Sequence, residues 1–172
     1  MTVDQVKSAL TRGVPGLTIE DRPRQVGVRE PVTVTEVWAE IDREGLLPAV
    51  AALKAAGPLH ISIISGRDKG SEIELLYHFA VGYGTPGGEV MVTLRLNVPA
   101  SDPTVPSICA LLPGAETTER EKIEFLGIQF TGIPSTDHVF LPDGFPGHPW
   151  RKGDPETEKL VKRLVEWEGK DA

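Results

Sequence analysis

The sequence is short of the residues that do redox and metal chemistry. Its 172 residues include one cysteine, Cys109, two methionines and four histidines. A single thiol excludes an internal disulfide and any all-cysteine metal cluster within the chain. The histidines, His60, His78, His138 and His148, form no pair at helical metal-ligand spacing, and none stands with Cys109 or a carboxylate in a zinc pattern. Cys109 itself, in Ile108-Cys109-Ala110-Leu111, reads as a small buried apolar side chain. No apolar run approaches the roughly 20 residues that cross a bilayer, and the N-terminus lacks a basic-then-apolar signal layout. The protein is therefore expected in the cytoplasm, where it could still sit on a membrane complex. Basic residues are outnumbered, 18 against 25 acidic ones, and the net charge of −7 repels phosphate backbones, which argues against a nucleic-acid partner.

What is present is the composition of an ordinary globular domain. With 40% hydrophobic and 25% charged residues, the chain can bury one real core and is too short for two good ones. Thr2-x-x-Gln5 opens a helix as a capping box, with Val3, Val6 and Leu10 on one face and Gly13 as the expected left-handed stop. Residues 17–41 are extended, and Pro23 and Pro31 suit an edge or irregular strands. A second helix is expected from about Leu46 to Ala56, with Pro48 in its first turn and Gly57-Pro58 ending it. Three strands follow, the second with Ile73, Leu75, Tyr77, Phe79 and Val81 on one face and the third with Val90, Val92, Leu94, Leu96 and Val98. Such alternation between turn residues predicts an antiparallel meander covered by helices on one face.

Beyond Val98 the pattern changes to proline-broken chain with two short helical stretches expected, 107–112 and 119–126. For the second, Thr118-x-x-Glu121 reads as a capping box and Gly127 as the stop. Residues 131–153 have no periodicity, and a structureless segment of that length makes sense lying along another protein's surface. Asp154-Pro155 then starts a helix whose stripe of Leu160, Val161, Leu164 and Val165 needs an apolar surface. The expected fold class is α/β (α+β), an antiparallel sheet with helices on one face. Residues 1–130 form the globular part, and 131–172 form an extended tail and terminal helix that dock on partners.

Two local patterns invite a chemical reading. Gly82-x-Gly84-x-x-Gly87-Gly88 resembles a dinucleotide fingerprint, but a phosphate loop must lead into a helix and this one leads into a strand. It reads as a hairpin loop. Glu119-Arg120-Glu121 and Glu124 could be a solvated first turn, or Arg120 and one glutamate could point into a buried subunit boundary. Consecutive helical residues lie about 100° apart, so the three cannot all face one way. A carboxylate pair for acid–base work lacks a second partner at a defined place.

The stretch from Glu119 to Lys152 carries a resemblance. Glu119-Arg120-Glu121 is followed by Phe125-Leu126-Gly127-Ile128-x-Phe130-x-Gly132, Leu141-Pro142-Asp143 and Gly147-His148-Pro149-x-Arg151-Lys152. Upstream stand Pro103-x-x-Pro106-Ser107 and Pro113-Gly114-Ala115. The ordered set resembles the C subunit of respiratory complex I (an NADH dehydrogenase) and its counterparts in membrane-bound, energy-converting NiFe hydrogenases. The resemblance implies a structural subunit without catalytic or cofactor-binding residues, on the cytoplasmic side of a membrane complex. Its implied partners are a hydrogenase-like large subunit and an iron–sulfur small subunit, and the NiFe centre and the iron–sulfur clusters belong to those partners. It implies partner contacts through Glu119, Arg120, Glu121, Glu124, Phe130, Pro142, His148, Pro149, Arg151 and Lys152. Arg151 and Lys152 are expected to face an acidic partner surface.

The sequence departs from complex I members at a few places. Ile133-Pro134 stands where His-Pro usually follows the glycine matching Gly132, and Asp137 and His138 occupy the places of a basic pair. Leu126-Gly127 replaces the more usual Phe-Gly. These changes favour the hydrogenase or ferredoxin-linked branch over quinone-reducing complex I. A reading of another class is a stand-alone small-molecule-binding domain that uses the open face of the sheet.

Overall fold

The computed structural model describes residues 1–86 and 88–168. Helix α1 (Val3–Gly13) starts at the capping box read from the sequence, with Thr2 and Gln5 satisfying each other's backbone N–H groups. Gly13 is not its left-handed stop: the helix ends into extended Val14. Gly13 is needed for packing instead, because a Cβ there would stand 2.6 Å from the Ala52 Cβ and 3.0 Å from the Pro48 carbonyl oxygen. Helix α2 (Arg43–Ala56) begins before the expected Leu46, since the Asp42 carboxylate caps it by accepting from the Gly45 N–H at 2.8 Å. Pro48 therefore falls in the second turn, where its missing N–H costs the helix one bond.

Five strands form the main sheet: β1 (Ile19–Val26), β2 (Val32–Ile41), β3 (Leu59–Asp68), β4 (Glu72–Val81) and β5 (Val90–Pro99). They lie in the order β1-β2-β5-β4-β3, which puts Pro23 on an edge strand as its missing donor requires. β3, β4 and β5 make the antiparallel meander expected from their alternation. The α/β class with helices on one face holds, with one difference: β2 pairs with β5 in parallel. Helix α2 returns the chain between β2 and β3, so these two strands run the same way, and two hairpins later β5 does too. Leu10, Leu46, Val50 and Leu53 from the helices pack on Val37, Leu75, Tyr77, Phe79, Val92 and Leu94, all fully buried. The Gly82–Gly88 segment is the hairpin loop between β4 and β5, and Gly87 lies outside the described residues.

A second, two-stranded parallel sheet joins β6 (Thr104–Pro106) to β7 (Gln129–Thr131). Between them, residues 107–112 form turns rather than the expected helix, and a 3₁₀ turn (Pro113–Ala115) runs into α3 (Glu116–Leu126). Thr118 is thus inside the helix and caps nothing; its hydroxyl accepts from the Ile64 N–H at 2.9 Å, pinning α3 to β3. Gly66 lets the helix sit close, since a Cβ there would meet the Leu126 Cδ1 at 2.6 Å. Gly127 ends α3 in the left-handed conformation, φ +68°, as expected.

After β7 the chain folds back over α3 and reaches α4 (Pro155–Glu168), which Asp154 caps through the Thr157 N–H at 2.8 Å. Val161 is about half exposed, while the side chains of Leu164 and Val165, the other half of the expected stripe, lie outside those described. Among the described residues no helix is long and apolar enough to cross a membrane.

Candidate partner interface

The residues singled out from the sequence gather around α3, and most of them bind this chain to itself. Residues 131–153, expected to lie on another protein, lie as a strap across this helix. The Glu124 carboxylate, 3% exposed, gathers three successive strap amides: Val139 N at 2.5 Å, Phe140 N at 3.0 Å and Leu141 N at 2.7 Å. Burial alone would raise its pKa, but these N–H groups and His138 outweigh it and hold the carboxyl below its ordinary value. Arg120 donates through Nε and Nη2 to the Asp137 carbonyl at 2.8 and 2.6 Å. One helix turn thus grips both sides of the strap's first half.

The second half is fixed by His148 to Lys152. The His148 ring lies against Gly127, where a Cβ would stand 2.8 Å from two of its atoms, and its Nδ1 is 2.9 Å from the Glu124 carbonyl. Trp150 donates its backbone N–H to the Phe125 carbonyl at 2.9 Å, and their rings lie 4.5 Å apart. Arg151 Nε reaches the buried Asp68 carboxylate at 3.0 Å, and the Lys152 backbone N–H donates to the same oxygen at 3.1 Å. The acidic group that Arg151 meets is therefore Asp68 at the end of this chain's own β3, while the Lys152 side chain is exposed.

Glu119 corrects the sequence reading most sharply. It is fully buried, and its carboxylate accepts from the Ile108 N–H at 2.8 Å, the Ser107 hydroxyl at 2.6 Å and the Cys109 thiol at 3.2 Å. It staples the turn after β6 to α3 and faces no neighbour. Burial raises its pKa, only partly offset by these hydrogen bonds. Burial likewise lifts the Cys109 thiol to about 11, which keeps it an unreactive thiol as well as a buried one. Phe130, expected at a partner contact, is buried in this chain's own core. Glu121 pairs with Lys122, whose ammonium is buried beneath the Trp150 ring, 4.9 Å from its centroid; burial lowers the pKa of Lys122. Pro142 is exposed and Pro149 half-buried.

What faces outward is aromatic and was not read from the sequence. Val139, Phe140 and Trp150 are each roughly half exposed, and the Phe140 and Trp150 rings flank Phe125 at 6.2 and 4.5 Å. His60 and His78 are the ordinary sheet residues expected: one stacks on Tyr83 at 4.6 Å and the other meets the Thr93 hydroxyl at 3.0 Å. Among the described residues no group of three or more His, Cys, Asp or Glu side chains could hold a metal ion.

Comparison with known proteins bears on this arrangement. The family described as "Respiratory-chain NADH dehydrogenase, 30 Kd subunit" matches residues 39–159, from β2 through the strap into α4. The beta subunit of the membrane-bound hydrogenase of Pyrococcus furiosus is 33% identical over 132 residues, 73% of this chain and 75% of that one. The NADH-quinone oxidoreductase C subunit of Herpetosiphon aurantiacus is 42% identical over 67 residues, and that of Nocardioides sp. 29% over 150. The matches span 39% and 58% of the length of those two proteins. Among solved structures, a trypsin-resistant fragment of Nqo5 matches with TM-score 0.59 and 25% identity over 76% of this chain and 98% of the fragment. A chain of an archaeal membrane-bound sulfane sulfur reductase shares the fold, with TM-score 0.68 and 18% identity over 93% of this chain and 89% of that one. The protein whose α3 carries this strap belongs to the family of the respiratory-chain NADH dehydrogenase 30 Kd subunit.

Proposed function

We propose that this chain is a non-catalytic structural subunit of the cytoplasmic peripheral arm of a membrane-bound, complex-I-like oxidoreductase. In this reading it braces a hydrogenase-like large subunit beside an iron–sulfur small subunit. The observation that carries the reading is the family match over residues 39–159, which takes in both the sheet and the strap. The exposed Val139, Phe140 and Trp150 offer a compact apolar area of the kind that protein interfaces bury. A single cysteine is too few to hold an iron–sulfur cluster, which supports the reading that the clusters, and with them the NiFe centre, belong to partners.

The energy-converting hydrogenase or ferredoxin-linked branch is favoured. The hydrogenase relative is matched over 75% of its length, against 39% and 58% for the two quinone-oxidoreductase relatives, and Ile133, Asp137 and His138 depart from the complex I pattern. The C subunit of an NADH-quinone oxidoreductase is the second reading, favoured by the 42% identity of the Herpetosiphon segment. Purification of the complex through a tag on this chain tests both. Hydrogen evolution or ferredoxin-dependent turnover supports the first, and NADH oxidation with quinone and no hydrogenase activity supports the second. Recovery of the chain alone, as a monomer with a saturable small ligand, overturns both.

A further inference from the structure

Past the five-stranded sheet the β1–β2 pair runs on as a two-stranded ribbon, residues 22–26 against 32–36, with its turn at 27–31. The ladder between β2 and β5 begins only at Val37, so residues 32–36 have β1 on one side and no strand on the other. The Glu40 N–H donates to the Thr18 carbonyl at 3.3 Å, so even-numbered residues of β2 turn their peptide groups to β1 and odd-numbered ones turn theirs away. Val37, Ala39 and Ile41 thereby bond β5. The N–H and C=O groups of Thr33 and Thr35 point the same way and meet no backbone group among the described residues. The other two edges of the sheet are guarded. On the outer side of β1 the alternation puts Pro23, with no N–H to offer, in mid-edge. Along β3 the register shifts between Ile61 and Ile63, and the Ile64 N–H is taken by the Thr118 hydroxyl of α3. Folded proteins blunt free edges with such devices because an open one is a template for another strand. Residues 32–36 carry none of them: neither proline, bulge, glycine nor lysine interrupts the stretch.

We propose that this inner edge of β2 receives an extended segment of a partner subunit, which continues the sheet in line with β5. The occupant is a strand because the edge offers a row of alternating main-chain donors and acceptors, and only an extended backbone matches them in register. Its composition follows from the two faces of the ribbon. Val32 and Val34 share one face with Val26, and Val32 is 59% exposed, so the incoming side chains there are apolar. On the other face Thr33 bonds Gln25 and stands next to Thr35, which fits small polar side chains. Glu36 is already paired with Arg24 at 3.0 Å, so the edge calls for no particular charge. A second copy of this chain fits less well. A self-standing interface buries about 1,200–2,000 Å², more than one short strand supplies, whereas a strand added within a larger assembly needs no such area.

This inference rests on the proposed function, and one experiment separates the two. The tagged full-length chain is co-expressed with the remaining subunits, and amide hydrogen exchange is compared between the purified complex and the chain alone. In the complex the Thr33 and Thr35 amides should slow about tenfold or more, while those of Val34 and Glu36, which bond β1 in both, should change little. Thr33→Pro and Thr35→Pro each remove one outward N–H and leave the bonds to β1 intact, whereas Thr33→Ala and Thr35→Ala keep it. Circular dichroism and a thermal melt check each fold. Either folded proline variant is expected to lower partner retention several-fold against its alanine counterpart. If the proline variants do not fold, the exchange of the wild-type amides still decides. Thr33 and Thr35 amides that exchange as fast in the complex as in the free chain overturn the proposal and leave the subunit reading standing. Protection that appears with rising concentration of the chain alone marks a homodimer and overturns it likewise. A wild-type chain that captures no subunit overturns both.

Discussion

The Glu124 carboxylate stands 2.7 Å from the Leu141 amide, and Val139 and Phe140 donate to the same group. A single helix side chain thus supplies the backbone acceptors that a strand neighbour would give the strap. Glu124→Gln keeps the shape and removes the charge. Hydrogen bonds to charged groups contribute about 1.5–3 kcal/mol, so the strap's local stability should fall by about 2 kcal/mol. Amide hydrogen exchange checks this: the 139–141 amides should speed up, and the β4–β5 amides should not. Unchanged exchange at 139–141 would mean that the aromatic contacts hold the strap without Glu124.

Acidification should act on the two buried glutamates of α3 in opposite senses. The Glu119 pKa is raised in the fold, so the stability linked to its proton is present at low pH and lost as pH rises through the folded value. That of Glu124 is lowered, so its contribution is present above the unfolded value and lost as pH falls through the folded one. Starting from neutral pH, Glu119 should protonate first, above the ordinary 4.5, and Glu124 last, below it, with strap release accompanying the second step only. Carboxyl carbon NMR shifts followed from pH 7 to 2 read both midpoints, and the reverse order would contradict the assignment.

The legible parts of this fold are those whose signal is periodic. Ile73 to Val81 and Val90 to Val98 alternate because one face meets the helices, and the period alone locates both strands. The parallel pairing of β2 with β5 follows from the helix between β2 and β3, a topological consequence that no single segment displays. The strap was not legible. Its contacts are backbone amides meeting Glu124 and a carbonyl meeting Arg120, and such groups look alike in every sequence. Asp68, which anchors Arg151, reads as a polar turn residue until β3 is seen to extend to it. For the same reason Glu119 and Glu124 read as solvated charges or as partner contacts, since helical spacing does not tell a carboxylate facing water or a neighbour from one facing this chain's own amides.

Glu119 should matter to stability and not to assembly. Replacement by Gln leaves an acceptor for the Ile108 N–H but turns an amide donor toward Ser107, whose hydroxyl also accepts from the Cys109 N–H at 3.1 Å. A loss of about 1–2 kcal/mol is expected for Glu119→Gln, and about 3 kcal/mol for Glu119→Ala, which strands several donors. Urea unfolding of the isolated chain measures both. An Ala variant within about 0.5 kcal/mol of wild type would show that the staple contributes nothing, as for an ordinary surface site.

The Gly127–His148 contact offers a test in which two costs can be separated. Gly127 has φ +68°, and an added Cβ would also strike the His148 ring at 2.8 Å. Gly127→Ala should therefore cost about 1 kcal/mol for the left-handed backbone, plus a further penalty for displacing the imidazole and the strap behind it. His148→Ala removes the obstruction together with the hydrogen bond to the Glu124 carbonyl. In that background Gly127→Ala should cost only the backbone part, so a double-mutant cycle should give a coupling of about 1–2 kcal/mol. Thermal unfolding of the four proteins measures it. Strict additivity would mean that the ring yields without cost, and then His148 does not hold the strap on the end of α3.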